Sequence, residues 1–143
     1  EEEESALVQS HYEMLAGVCL EYCASAGRLD LLYGPVFQRF SAAGRLRVLL
    51  DALYPCLLDG TVGYLAPEPM AVFVEHCRQR RDPAAVERAL LHLDPRAMDF
   101  DHVLRLLRAH RLHSALARVY TVGLGDWATP LETILAHLLP YLP

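Results

Sequence analysis

Apolar residues recur along this chain at i, i+3, i+4 and i+7, the spacing that gathers them on one face of an α-helix. Leu15, Val18, Cys19 and Tyr22 follow it, as do Tyr33, Val36, Phe37 and Phe40, and then Leu46, Leu49, Leu50 and Leu53. Met70, Phe73, Val74 and Cys77 repeat it, followed by Val86, Ala89, Leu90 and Leu93, and by Phe100, Val103, Leu104 and Leu107. Leu112, Ala115, Leu116 and Val119 come next, and Leu131, Ile134, Leu135 and Leu138 close the series. No stretch shows the period-two alternation of a half-buried strand. The pattern predicts an all-α fold. Its core draws on Leu15, Val18, Tyr33, Phe37, Phe40, Leu49, Leu53, Phe73, Leu90, Val103, Leu107, Leu116, Val119, Ile134 and Leu135.

The breaks between stripes carry stop and start chemistry. Gly27, Gly44, Gly60 and Gly123 each follow an apolar stripe, where a left-handed cap is needed and glycine adopts it without a Cβ clash. Asp82-Pro83 and Thr129-Pro130 each set an N-cap oxygen before a proline at the first helical position. Thr129 and Glu132 also have capping-box spacing. Asp99 suits the N-cap of the helix that carries Phe100, and Pro35, inside an apolar stripe, should kink or restart its helix.

The result is about seven to nine short helices joined by tight turns. Many short helices with one apolar face each suit an antiparallel stack of helical hairpins, an α-solenoid segment in which each hairpin buries its face on its neighbours. A closed bundle usually has fewer and longer helices. Residues 1–5 read as the end of an acidic linker and 6–143 as a single helical solenoid segment, with an irregular link near 59–69 that holds Gly and Pro residues.

Composition narrows the function classes. The chain has 143 residues, 53% hydrophobic and 22% charged, the balance of a soluble globular chain. A chain of this length buries roughly two-thirds of its unfolded surface, so its core needs no metal or disulfide. The formal net charge of −5 argues against a phosphate-backbone binder, so no nucleic-acid partner is expected. No apolar run approaches a membrane span, which argues against direct membrane insertion, and Glu1 to Glu4 are the opposite of a cationic signal-peptide start. All 13 basic residues are Arg, with no Lys and no Asn, which reads as coding bias. Cys19, Cys23, Cys56 and Cys77 lack metal-knuckle spacing; three of them sit among apolar residues, where a free thiol behaves as a small buried hydrophobe, and the set reads as a reducing compartment.

Candidate chemistry is sparse. His102, His110 and His113 cluster with Arg105, Arg108 and Arg111, and this reads either as an anion- or acidic-partner surface or as a solvated helix face with cations near a helix C-terminus. Arg105, Arg108 and Arg111 are the candidate protein-contact face. Arg78, Arg80 and Arg81 read the same way, as the last turn of a helix. His76-Cys77 is a dyad only on paper, since neighbours on a helix point in different directions. Asp94, Asp99 and Asp101 lie at helix starts, where capping accounts for them. No nucleophile elbow, zincin, Walker or dinucleotide motif occurs, so neither an enzyme nor a cofactor is expected.

From Leu90 onward the residues form a spaced string: Leu90-Leu91-His92-Leu93-Asp94-Pro95, Met98-Asp99-Phe100-Asp101, Leu112-His113-Ser114-Ala115-Leu116, Gly123-Leu124-Gly125-Asp126-Trp127 and Thr129-Pro130-Leu131-Glu132. Earlier pieces agree, namely Tyr22-Cys23 with Gly27-Arg28-Leu29-Asp30, and Pro67-Glu68-Pro69-Met70 with Val74-Glu75-His76. The string resembles the helical region of the eighth vacuolar protein-sorting subunits, the Rab-binding subunits of the CORVET endosomal tether. The resemblance runs from about Tyr12 onward. It implies an α-solenoid between an N-terminal β-propeller and a C-terminal RING-type zinc domain, neither of which lies in this chain. It also implies a cytoplasmic scaffold, peripheral on early endosomal membrane. The implied partners are other tether subunits, and a Rab-type GTPase engaged through the propeller end. The four cysteines form no RING pattern, so no zinc site carries over. A different class, a regulatory helical domain that binds a small GTPase or a peptide in a groove, would show an apolar patch on one concave face. A solenoid segment would instead show apolar patches at its two ends.

Overall fold

A computed structural model describes residues 2–93, 97–123, 131, 132, 135, 136 and 138–141. They form eight α-helical segments: α1 (Glu2–Ala26), α2 (Leu29–Leu31), α3 (Phe37–Ala42), α4 (Leu46–Leu58), α5 (Pro67–Gln79), α6 (Ala84–Leu90), α7 (Phe100–Ala109) and α8 (His113–Arg118). A π-helical turn, Leu32–Val36, joins α2 to α3 in one rod, and another, Val119–Gly123, continues α8. No strand occurs among the described residues. The first π turn is built around Pro35, and the Phe37 N–H reaches back five residues to the Leu32 carbonyl. Proline has no N–H to offer the ordinary ladder, and the wider turn lets the rod run on past it.

The helices stack in two rows. The opening helices of successive hairpins touch in order, α1 on α4, α4 on α6 and α6 on α8. In the second row α5 touches α7, and α3, α5 and α7 close on the first row through α4, α6 and α8. This is the hairpin stack of an α-solenoid. One continuous apolar cluster runs through it, including Leu20, Leu32, Phe40, Leu49, Leu53, Phe73, Val86, Leu107 and Leu116. Burying each such side chain contributes about 1.5–3 kcal/mol.

Most turns share one design. After α1, α3, α5 and α7 the chain passes through a left-handed residue: Gly27, Gly44, Arg81 and Arg111, at φ of 67°, 70°, 56° and 56°. The N–H that follows bonds back five residues, from Arg28 to Cys23, Arg45 to Phe40, Asp82 to Cys77 and Leu112 to Leu107. That is the Schellman closure, and each carbonyl it satisfies belongs to a buried residue. The hairpin link is therefore one recurring backbone device, in glycine twice and in arginine twice.

Several expectations need correction. Glu2, Glu3 and Glu4, read as linker, form the first turn of α1, where their charge meets the positive helix end. Val18 and Tyr22 are 59% and 63% exposed, while Ala16, Leu20 and Cys23 are buried. The helix carries apolar residues on both sides, and α4 packs on the side with the small Ala16, which lets the two rods approach. Leu15 and Tyr33 are half-buried against the core. Leu135 is 47% exposed, and Ile134, Trp127 and the Thr129 cap lie outside the described residues. Gly123 is the last residue of the π turn Val119–Gly123. The Asp82 carboxylate caps nothing and instead pairs with Arg88 at 3.0 Å. Asp99 does cap α7, accepting the His102 N–H at 3.2 Å. The link before α5 is irregular yet packed, since Val62 and Leu65 are buried.

Candidate protein-contact surfaces

On α7 the inward stripe of Val103, Leu104 and Leu107 leaves Arg105 and Arg108 on the solvent side. The Arg105 Nε donates at 3.3 Å to the Asp101 carbonyl of its own helix, and the side chain stays exposed. Arg108 is committed differently. Its guanidinium donates to the Tyr120 hydroxyl and lies 5.8 Å from the centre of that ring. Tyr120 is buried, so Arg108 clamps the chain after α8 onto α7 through both a hydrogen bond and a cation–π contact. Arg111 leaves the face altogether, because the left-handed turn after α7 swings it toward α5 and α6. The three arginines read as one face are thus split among a helix surface, a packing clamp and a turn. Of the neighbouring histidines, His102 Nε2 donates to the Pro67 carbonyl at 2.9 Å and ties α7 to the start of α5.

A second polar group bridges α4 and α5. The Asp51 carboxylate accepts from His76 Nε2 at 2.9 Å and from Arg80 Nη2 at 2.5 Å. His76 is only 8% exposed, so this pairing satisfies a buried ring. Cys77 lies beside it on the wall of the same small cleft, about 180 Å³, with Tyr54 and Phe73. Burial, reinforced by the charges of Asp82 and Asp51, pushes the Cys77 thiol up to about 11. A thiol protonated at neutral pH is a poor nucleophile, so the Asp51, His76 and Cys77 neighbourhood works as a structural bridge. Helix geometry alone separates His76 from Cys77, yet both line this cleft, and Asp51, distant in sequence, carries no local signal of joining them. Its one mark is to be a lone carboxylate between Leu50 and Leu53 on a strongly apolar helix.

Further bridges join the remaining rods. Arg88 on α6 donates to the Tyr54 hydroxyl on α4 at 2.8 Å while pairing with Asp82. Glu87 accepts from Ser114 Oγ at 2.5 Å and faces Arg118 Nε at 3.9 Å, linking α6 to α8. All four cysteines are free thiols, and no group of three or more metal-binding side chains occurs among the described residues.

The outer side of α1 is apolar and uncovered. Leu7, Met14, Val18 and Tyr22 line the side of α1 away from α4, and all are exposed. Leu131, Leu135, Leu138, Leu139 and Tyr141, toward the C-terminal end of the sequence, are exposed as well. No helix among the described residues is long and apolar enough to cross a membrane.

Two rows of short hairpins, closed by a repeated turn and with an uncovered apolar face on α1, define a helical-repeat segment. The chain belongs to the family described as Vps8 central TPR, whose model matches residues 48–141. It is 25% identical over 137 residues to the mouse vacuolar protein sorting-associated protein 8 homolog, covering 95% of this chain. It is 24% identical over 137 residues to the human homolog, again over 95% of this chain. The Drosophila melanogaster homolog is 25% identical over 128 residues, 84% of this chain. The chain spans about 10% of the length of each of these curated relatives. No solved structure matches it.

Proposed function

We propose that this chain is a scaffold and protein-interaction segment of a subunit of an endosomal membrane-tethering complex of the CORVET type. It would act in vesicle-mediated transport from endosome to vacuole or lysosome. The observation that carries the reading is the uncovered apolar face of α1 at one end of a hairpin stack whose residues 48–141 match the family. Such a face is where further hairpins or other subunits seat, and the polar bridges between rods keep the arm stiff enough to hold distance and orientation. Its work on this reading is mechanical, with no reaction and no cofactor. The partners are other tether subunits, with a Rab-type GTPase engaged elsewhere in the full-length protein. The site of action is the cytoplasmic side of early endosomal membrane. Arg105, exposed and bonded only within its own helix, is the α7 side chain available for contact, while Arg108 is held on Tyr120.

The test is affinity capture from cell lysate with the chain as bait, read by mass spectrometry. A matched bait would carry Leu7→Asp and Val18→Asp on the exposed side of α1. Recovery of tethering-complex subunits with the first bait and their loss with the second supports the reading. Equal recovery with both baits removes the α1 face from it, and recovery of no sorting subunit with either overturns it.

A further inference from the structure

A concave cavity of about 370 Å³ opens where the end of α5, the start of α6 and the turn after α7 meet. Val74 and Val86 supply buried apolar walls, and Arg78, Arg81, His110 and Arg111 line the rest. The backbone singles out two of these residues. Arg81 and Arg111 both sit at φ 56°, in left-handed turns whose counterparts after α1 and α3 are Gly27 and Gly44. Glycine serves that turn without a Cβ penalty, so an arginine there holds the chain in a less favoured conformation. Both such arginines face one cavity, and local strain retained at a cavity points to use of the side chain.

The charges around the cavity point to a ligand. The nearby carboxylates are engaged: Glu75 with Arg78, Asp82 with Arg88, and Glu87 with Ser114 and Arg118. The Arg81 and Arg111 side chains have no hydrogen bond or ion pair among the described residues. Two guanidinium groups therefore stand unneutralised on a chain whose formal net charge is −5. An extended polyanion such as a membrane surface or a nucleic acid would meet the repulsion of that overall charge. A short segment that enters the cavity meets a largely apolar wall with Arg81 and Arg111 at its edge.

We propose that this cavity binds an acidic peptide segment of a partner protein. Arg81 and Arg111 would take its carboxylates in charge-assisted, bidentate hydrogen bonds, and Val74 and Val86 would receive a neighbouring apolar side chain. The proposal rests on the reading of this chain as a protein-binding scaffold and adds the chemistry of one partner.

The test is a fluorescence-anisotropy titration of the chain into a short labelled peptide of alternating glutamate and leucine. A glutamine-for-glutamate peptide is the control. Saturable binding of the acidic peptide alone is expected. The Arg81→Gly, Arg111→Gly double variant keeps the left-handed turns and should weaken binding by about tenfold or more. Its melting temperature, measured alongside, should not fall, which separates lost contacts from lost fold. Arg39→Glu, exposed on α3 and away from the cavity, should bind as the unaltered chain does. Equal binding of the glutamine peptide, unchanged binding by the double variant, or no saturable binding overturns the proposal. So does flotation of the chain with phosphatidylserine vesicles when the peptide does not bind. Failure of the scaffold reading shows separately, as absence of sorting subunits in the lysate capture, whatever this titration returns.

Discussion

Replacing Arg81 and Arg111 by glycine should make the chain more stable, although it deletes two side chains and two charges. In the left-handed region an L-residue is strained by about 1–2 kcal/mol. Both arginines are there, at φ 56°. Glycine removes that strain but gains freedom in the unfolded chain, which takes back about 0.4–1 kcal/mol. The net is a gain of roughly 0.5–1 kcal/mol per site. The two sites line one cavity, so relief of like-charge repulsion adds a part that fades as salt screens it. For a chain of this size each kcal/mol moves the midpoint by about 2–4 °C. Thermal melts by circular dichroism at low and high salt give the shift, and urea melts with an unchanged slope confirm that it is stability. The reverse substitution, Gly44→Arg, sets the sign. A Cβ at Gly44 meets no atom within 4 Å, so its cost is conformational and should be about 0.5–1 kcal/mol. A double variant that melts at or below the unaltered chain would refute the strain argument, as would a neutral Gly44→Arg.

Further outcomes follow from the packing and the charges. Leu20→Ala should cost about 2–5 kcal/mol, because it opens a cavity between α1 and α4. Val18→Ser, on the uncovered side, should stay within about 0.5 kcal/mol in the same denaturant melts, and similar losses at both sites would mean that α1 is rotated from its assigned face. Asp99→Ala should cost about 1 kcal/mol through the lost cap on α7, with Asp99→Asn retaining most of it, and an unchanged melting temperature would remove the cap from the account. Cys77 supplies a pH dependence. Its thiol titrates near 9.0 when unfolded and at about 11 when folded, with burial the main cause. Between those values the unfolded chain releases a proton that the native chain keeps, so stability is intact below the lower value and falls as pH climbs toward the upper one. Urea melts across the alkaline range should show that decline flattened in Cys77→Ala, and an equally steep decline there would exclude this thiol as its source.

Local signals carried much of the fold, and their failures are instructive. The stripes through Phe37, Phe73, Val103 and Leu116 named buried residues because one apolar side dominates those helices, and the stripe through Leu49 did so because α4 is packed on several sides. On α1 the same search chose Val18 and Tyr22, since that helix is apolar on both sides and period alone cannot rank two faces. At the turns Gly27, Gly44 and Gly60 were legible, because only glycine enters the left-handed region freely. Arg81 and Arg111 gave no such signal, although the turns after α5 and α7 repeat those after α1 and α3 in backbone geometry. The candidate contact face dissolved for a related reason. Arg105, Arg108 and Arg111 are three residues apart in turn, as on one helix, but the helix ends before the last of them.

What the sequence by itself determined is the class of structure: helical period, cap and proline placement, and the family string all act over a few residues and survive without tertiary context. Tertiary structure decided which side of α1 is covered and that Asp51 meets His76 and Arg80. It also set Arg108 on the Tyr120 ring and brought Arg81 and Arg111 to one cavity. Those outcomes join residues far apart in the chain. They depend on how rods stack and on which backbone conformation each link adopts, and neither is encoded in the spacing of apolar residues along a single helix.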